Sequence, residues 1–183
     1  IAGTRAKKEL SKSYTAFSSI NYPDIAVIHD NRIVFYIDDK EQSTKLLKFY
    51  HEMNDRVFLL KLIPSIDPGV LENLADSYDG LILESFGVGG LPDYGNHEFT
   101  KVLEKWVSAG KLVLMSTQVT HEGSDMGIYK VGKTIKENFP ILESYDMTLE
   151  AAVTKIMWIL AQTRDFETCR ELFYTTINKD VLF

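Results

Sequence analysis

Residues 79–92 read DGLILESFGVGGLP. The apolar run Leu81-Ile82-Leu83 leads within a few residues into Gly87, Gly89 and Gly90. A strand that ends in glycines lets backbone come close to a ligand. Two phosphate-binding arrangements fail on spacing. A dinucleotide loop needs Gly-x-Gly-x-x-Gly opening a helix, and Pro92 stands where the third glycine belongs. The next apolar run, LVLMSTQ, lacks the terminal acidic residue that would hold a ribose. A P-loop is excluded because no Gly-Lys-Ser/Thr follows. The loop nonetheless sits at a strand's carboxyl end, where open α/β sheets place their ligands.

A second polar stretch is MSTQVTHEGSDMGIY, residues 115–129. Ser116, Thr117 and Gln118 end an apolar run, and His121, Glu122 and Asp125 follow. By type these are the residues of a Ser–His–acid relay, but no Gly-x-Ser-x-Gly elbow surrounds Ser116. Polar residues at strand ends more often cap turns. Phe86, Tyr94 and Tyr129 are loop aromatics that either line a site or pack beneath the loops. His29, His51, His97 and His121 show neither i, i+4 pairing nor metal-ligand spacing. The single cysteine, Cys169, lies in a helical pattern, FETCREL, which suits a buried thiol rather than a nucleophile.

These residues need a scaffold. The chain has 183 residues, 45% of them hydrophobic, enough for a packed core and too apolar for disorder. Its formal charge of −6 argues against a nucleic-acid surface. One cysteine excludes an internal disulfide and suits a reducing, cytoplasmic setting. No apolar run reaches the roughly 18 residues of a membrane helix. The opening, IAGTRAKK, has no initiator methionine and reads as the interior of a larger protein.

Residues 14–36 read as β-rich, with IAVIHDNRIVFY a hairpin turning at Asp30-Asn31. The charged segment 37–56 reads as a short helix or a linker. From residue 57 strands and helices alternate. VFLLKLI predicts a strand buried on both faces. PGVLENLADSY predicts a helix with Pro68 in its first turn. DGLILES and KLVLMST predict two more strands. HEFTKVLEKWVSAGK is amphipathic and stops at Gly110. IYKVGKTIKENF, TLEAAVTKIMWILAQ with Thr148 as N-cap, and DFETCRELFYTTI predict three further helices. Spacing places Met157 and Trp158 in the core. Alternation of this kind predicts βαβ units and a parallel sheet. The expected architecture is a small three-layer Rossmann-like α/β domain over 57–183, a linker over 37–56, and the β-rich end of another domain over 1–36.

AGTRAKK, AFSSINYPDIAVI, DPGVLENLADSYDGLILESFGVGGLP, AGKLVLMSTQ, GIYKVGK and DMTLEAAVTKIMWIL, in that order, resemble the second half of the L-asparaginase family, in particular its bacterial cytoplasmic type. The resemblance implies two α/β domains, the upstream one carrying two threonines, an aspartate and most substrate contacts. Its Thr-Gly-Gly-Thr-Ile and Thr-Asp motifs have no match here. Counting back from Ala16-Phe17, the family's catalytic lysine falls on Lys8, with Lys7 one residue away. A threonine hydroxyl needs a base to become a nucleophile. A lysine serves only if burial or charge lowers its pKa from about 10.4, or else it assists through its charge.

The implied reaction is hydrolysis of the side-chain amide of L-asparagine, with L-glutamine as the other candidate substrate, to the acid and ammonia, by acyl transfer and without metal or cofactor. In the family one subunit's C-terminal domain closes its neighbour's site, giving homodimers or homotetramers. On that basis Ser85, Gly87 and Gly89 face the subunit boundary near substrate, as does the stretch from Asp125 to Tyr129, where an acid would hold the substrate's ammonium. Three positions depart from cytoplasmic relatives: Gly90 replaces Asn, Val119 replaces an effector-pocket cysteine, and Glu84 replaces arginine. They argue against allosteric control by asparagine. Two other readings share the pattern: the glutamine-deamidating subunit of a transfer-RNA amidotransferase, and a non-catalytic dimerisation or closure module.

Overall fold

The computed structural model describes residues 1–37, 46–92 and 98–182. Tyr94 and His97 lie outside the described residues. The chain opens with a 3-10 turn, Gly3–Arg5, and the strands β1 (Ala6–Lys8), β2 (Phe17–Ser19), β3 (Ala26–His29) and β4 (Arg32–Phe35). β1 pairs antiparallel with β2, and β3 with β4. The β3–β4 hairpin turns through Asp30-Asn31 as the sequence predicts, with Asp30 at φ 51°.

The remaining elements are β5 (Val57–Lys61), α1 (Gly69–Glu72), β6 (Gly80–Ser85), α2 (Glu98–Ser108), β7 (Leu112–Thr117), α3 (Lys130–Asn138), β8 (Leu142–Glu143), α4 (Leu149–Gln162) and α5 (Phe166–Tyr174). β5–β8 form one parallel sheet in the order β5-β6-β7-β8.

Successive strand residues face opposite sides of a sheet, and here that alternation builds two cores. Leu81, Leu83, Val113 and Met115 point to one side and meet Leu71 of α1, Phe99, Val102, Leu103 and Trp106 of α2, and Ile135 of α3. Ile82, Leu112, Leu114 and Leu142 point to the other and meet Ile156, Ile159 and Leu160 of α4 and Cys169 and Phe173 of α5. Sequential strand order with right-handed crossovers requires α1, α2 and α3 on one face. α4 and α5 follow the last strand and seal the other. The result is the three-layer α/β architecture that alternation predicts.

Four local expectations are corrected. β5 is an edge strand and only partly buried, because nothing pairs with its outer side among the described residues. α1 is one turn long and continues as hydrogen-bonded turns to Tyr78, through a stretch in which Asn73, Asp76 and Ser77 are weak helix formers. β8 is a fourth strand, two residues long, too short to leave a hydropathy signal. Met157 and Trp158 are half-buried: Trp158 packs at the margin of the second core and takes Tyr50 edge-on at 5.1 Å, and the Met157 carbonyl accepts from Asn54 N–H. Of the segment read as a short helix or a linker, residues 46–56 contain no helix, and 38–45 lie outside the described residues.

At the amino edge of the sheet, Asp79 gathers Arg164 at 2.9 Å, Lys111 at 3.4 Å and Arg56 at 3.6 Å. Burial alone would push the Asp79 carboxyl up. Hydrogen bonds from Asn54, Arg164 and Lys111 and the Arg164 charge outweigh burial and hold it at about 2.

Candidate functional site

The carboxyl ends of β6 and β7 stand side by side, with Glu84 opposite Ser116 and Ser85 opposite Thr117. The chain leaves β6 through Phe86–Gly90, closed by a bridge between Phe86 and Gly90. Gly87 takes φ 50°, open to glycine at little steric cost. The chain leaving β7 folds back onto this loop. Asp125 N–H donates to the Val88 carbonyl at 2.7 Å, and the Thr117 hydroxyl donates to the Gly87 carbonyl. A Cβ on Gly89 would lie 3.1 Å from Met126 Cα, and one on Gly87 would lie 3.3 Å from the Tyr129 hydroxyl. Gly87, Gly89, Asp125 and Tyr129, named separately from sequence, therefore form one assembly.

Ser85 differs in setting: it is fully buried and its hydroxyl donates to the Ser116 carbonyl at 2.6 Å. Ser116 shares a hydrogen bond with Ser144 at 3.1 Å, whereas His121 is exposed, so the material of a Ser–His–acid relay is not assembled. Asp125 is exposed, and its Oδ1 accepts from Gly127 N–H at 2.9 Å. Tyr129 is 47% exposed.

A charged group missed from sequence anchors this second loop. Glu143 on β8 is sealed from solvent; its Oε1 accepts from Met126 N–H at 2.6 Å and its Oε2 from Lys136 at 2.8 Å. Partial burial of Lys136 would lower its pKa, but hydrogen bonds to Glu143 and Tyr145 override that and raise it. Burial pushes the nearby Tyr174 phenol up to about 12, while that phenol bonds the Glu143 backbone. Only a buried, hydrogen-bonded charge explains a glutamate inside a two-residue strand, and hydropathy alone gives no sign of it.

A small cavity of ≈ 30 Å³ lies between the sheet edge and β1, lined by Lys7, Asn21, Glu84, Ser116, Gln118 and Val119, among others. That is room for about one water molecule. Gln118 closes it by donating to the carbonyls of Leu62 and Glu84 at 2.6 and 3.0 Å. Lys7 faces it, with Glu150 3.5 Å from its ammonium. Lys8, next along β1, projects to the opposite side and is exposed.

Among the described residues no group of three or more His, Cys, Asp or Glu side chains is placed to hold a metal ion. No described helix is long and apolar enough to cross a membrane.

Comparison with known proteins gives this arrangement a context. Residues 56–173 match the glutaminase/asparaginase C-terminal domain. An L-asparaginase of Thermococcus kodakarensis is 35% identical over 179 residues, covering 98% of this chain and 53% of its own length. A glutamyl-tRNA(Gln) amidotransferase component from Sulfolobus acidocaldarius is 28% identical, covering 98% of this chain and 40% of its own length. The chain thus spans about half the length of the curated relatives it matches, or less. The solved structure of the thermostable L-asparaginase from Thermococcus kodakarensis superimposes with a TM-score of 0.90 at 34% identity, over 99% of this chain and 54% of that one. L-asparaginase I from Vibrio cholerae shares the fold, with a TM-score of 0.85 at 23% identity. The chain belongs to the glutaminase/asparaginase family, and residues 56–173 are its C-terminal domain.

Proposed function

We propose that this chain is the C-terminal portion of a cytoplasmic-type L-asparaginase. The reaction is hydrolysis of L-asparagine to L-aspartate and ammonia by acyl transfer to a threonine, which the family supplies from the half of its length these residues do not span. The observation that carries the reading is the 35% identity to an L-asparaginase along 98% of this chain. In this reading residues 57–183 are the closing α/β domain, 37–56 a linker, and 1–36 the end of the catalytic domain. Lys8 assists the threonine, and its exposure on the face of β1 away from the sheet leaves its amine free to meet an upstream lobe. Ser85 fixes the β6–β7 junction from beneath. Gly87, Gly89, Asp125 and Tyr129 face the substrate site of a neighbouring subunit in a homodimer or homotetramer.

A second reading is supported by the amidotransferase relatives: glutamine deamidation that feeds ammonia to a transfer-RNA-bound glutamate. Substrate preference separates the two. The test is ammonia release from asparagine and from glutamine by the full-length gene product and its Lys8→Met and Lys7→Met variants. Asparagine turnover that falls about 10²–10⁴-fold in Lys8→Met and survives in Lys7→Met supports the proposal. Turnover of glutamine alone, or full activity in Lys8→Met, overturns it. These 183 residues alone are expected to release no ammonia, because the covalent nucleophile lies outside them.

A further inference from the structure

Arg5 is fully buried, three residues before Lys8. Its Nε donates to the Lys179 carbonyl at 2.5 Å, its Nη1 to the Asp146 carbonyl at 2.5 Å, and its Nη2 to Asp146 Oδ2 at 2.7 Å. The guanidinium also lies 5.7 Å from the centre of the Tyr22 ring. Asp146 is equally committed: its Oδ1 accepts from Leu182 N–H at 3.2 Å, and its carbonyl also accepts from Asn21 at 3.1 Å. One ion pair thus joins the start of β1, the end of β2, the β8–α4 connection and the C-terminal tail. Thr4 extends the junction by donating to the Asn178 carbonyl at 2.5 Å. Thr148, which caps α4, donates to the Thr4 carbonyl at 2.8 Å.

Stability alone does not call for such a device, because a buried ion pair is often matched by apolar groups of the same volume. What a guanidinium fork adds is direction: parallel N–H bonds to one partner fix an angle as well as a distance. The Arg5 carbonyl accepts from Ile20 N–H at 2.9 Å, so the fork's placement passes straight into the β1–β2 ladder, where Lys8 pairs with Phe17. Lys8 is then roughly 10 Å further along a regular strand, at about 3.3 Å per residue.

We infer that the Arg5–Asp146 clasp is the positioning device for Lys8, fixing where its amine stands relative to the α/β domain. This rests on the reading of Lys8 as the lysine that assists the nucleophile. Arg5 touches no reacting atom; it sets the strand that carries one.

The test uses the full-length gene product with Arg5→Lys, which keeps the charge but loses the fork, and the double variant Arg5→Met/Asp146→Leu, which leaves no unpaired charge behind. Circular dichroism and thermal unfolding establish folding. Two readouts follow: kcat and KM for ammonia release from asparagine, and titration of Lys8 by NMR of the ¹³C-methylated protein, assigned with Lys8→Arg. The expected result is a folded double variant with kcat reduced about 100-fold, KM nearly unchanged and the Lys8 titration displaced. A folded double variant with wild-type kcat and an undisplaced titration overturns the inference. If the double variant does not fold, Arg5→Lys decides by the same two readouts. If the wild-type protein releases no ammonia, the asparaginase reading falls and the Lys8 titration alone decides the clasp: displaced supports it, undisplaced overturns it.

Discussion

The backbone N–H of Asp125 donates to the carbonyl of Val88 at 2.7 Å. This bond ties two loops that leave neighbouring parallel strands, and it forms because Gly89 lets Met126 lie directly against the glycine loop. Gly89→Ala puts a methyl 3.1 Å from Met126 Cα at a backbone φ of 153°. The expected cost is about 1–3 kcal/mol, read as a lower denaturation midpoint. Gly110→Ala serves as a control: its φ is also positive, at 70°, but its Cβ meets open space. Its cost is expected to be confined to backbone strain of about 1 kcal/mol.

Asp79 predicts a pH-dependent stability. Its folded pKa of about 2 lies below the ordinary value of 3.8, so the native state binds fewer protons than the unfolded chain. The stabilisation is complete above pH 3.8 and is lost as pH falls toward 2. Asp79→Asn is expected to lower unfolding free energy at pH 7 by about 1 kcal/mol, because its arginine partners Arg56 and Arg164 are half-exposed and solvent screens the pairs. In urea titrations the deficit should shrink as pH drops from 4 to 2. A deficit independent of pH would show that the carboxylate charge is not what Asp79 contributes.

Lys155 and Asp180 form an ion pair at 2.7 Å with both side chains almost entirely buried. Burial lowers the Lys155 pKa despite the opposing hydrogen bond and charge of Asp180. Asp180→Ala leaves a buried cation whose remaining partners are the Thr175 carbonyl and the Phe173 ring, at an expected cost of about 3–5 kcal/mol. Lys155→Met/Asp180→Leu is expected to be within about 1 kcal/mol of wild type or more stable. A double-mutant cycle by chemical denaturation measures the difference.

Trp106 is completely buried, and its indole N–H donates to the Leu71 carbonyl at 3.0 Å, joining α1 to α2. Trp106→Phe keeps most of the volume but loses that donor, for an expected cost of about 1–2 kcal/mol. Trp106→Ala also opens a cavity and is expected to cost about 3–5 kcal/mol. Equal losses in the two variants would show that the hydrogen bond, and not the packing, dominates.

The sheet was legible because its inner strands are continuous apolar runs between glycine and proline stops. β6 and β7 could be placed within a residue or two. β8 could not, because its two residues pair only through register with Leu114 and Met115. The glycine loop was recognisable as a strand exit, but its contact with Asp125 and Tyr129 depends on β6 and β7 lying in parallel register, which local sequence does not encode. Lys7 and Lys8 are identical by type. Only the side-chain alternation of β1 separates them, turning one toward the cavity and the other away. The least legible residues were Arg5, Glu143 and Lys155, charged side chains that hydropathy assigns to the surface. Arg5 and Lys155 find their partners 141 and 25 residues away, and Glu143 is held by a backbone N–H 17 residues upstream.

The sheet's sequential order has a consequence for synthesis on the ribosome. Each strand docks beside the one made just before it, so β5 to β8 can accrete as the polypeptide emerges. Arg5 cannot follow that schedule, because the carbonyl it grips at Lys179 is translated 174 residues later. A nascent chain would therefore carry β1 in a loosely held state until Lys179 has emerged, and the lysine it bears would reach its final station only then.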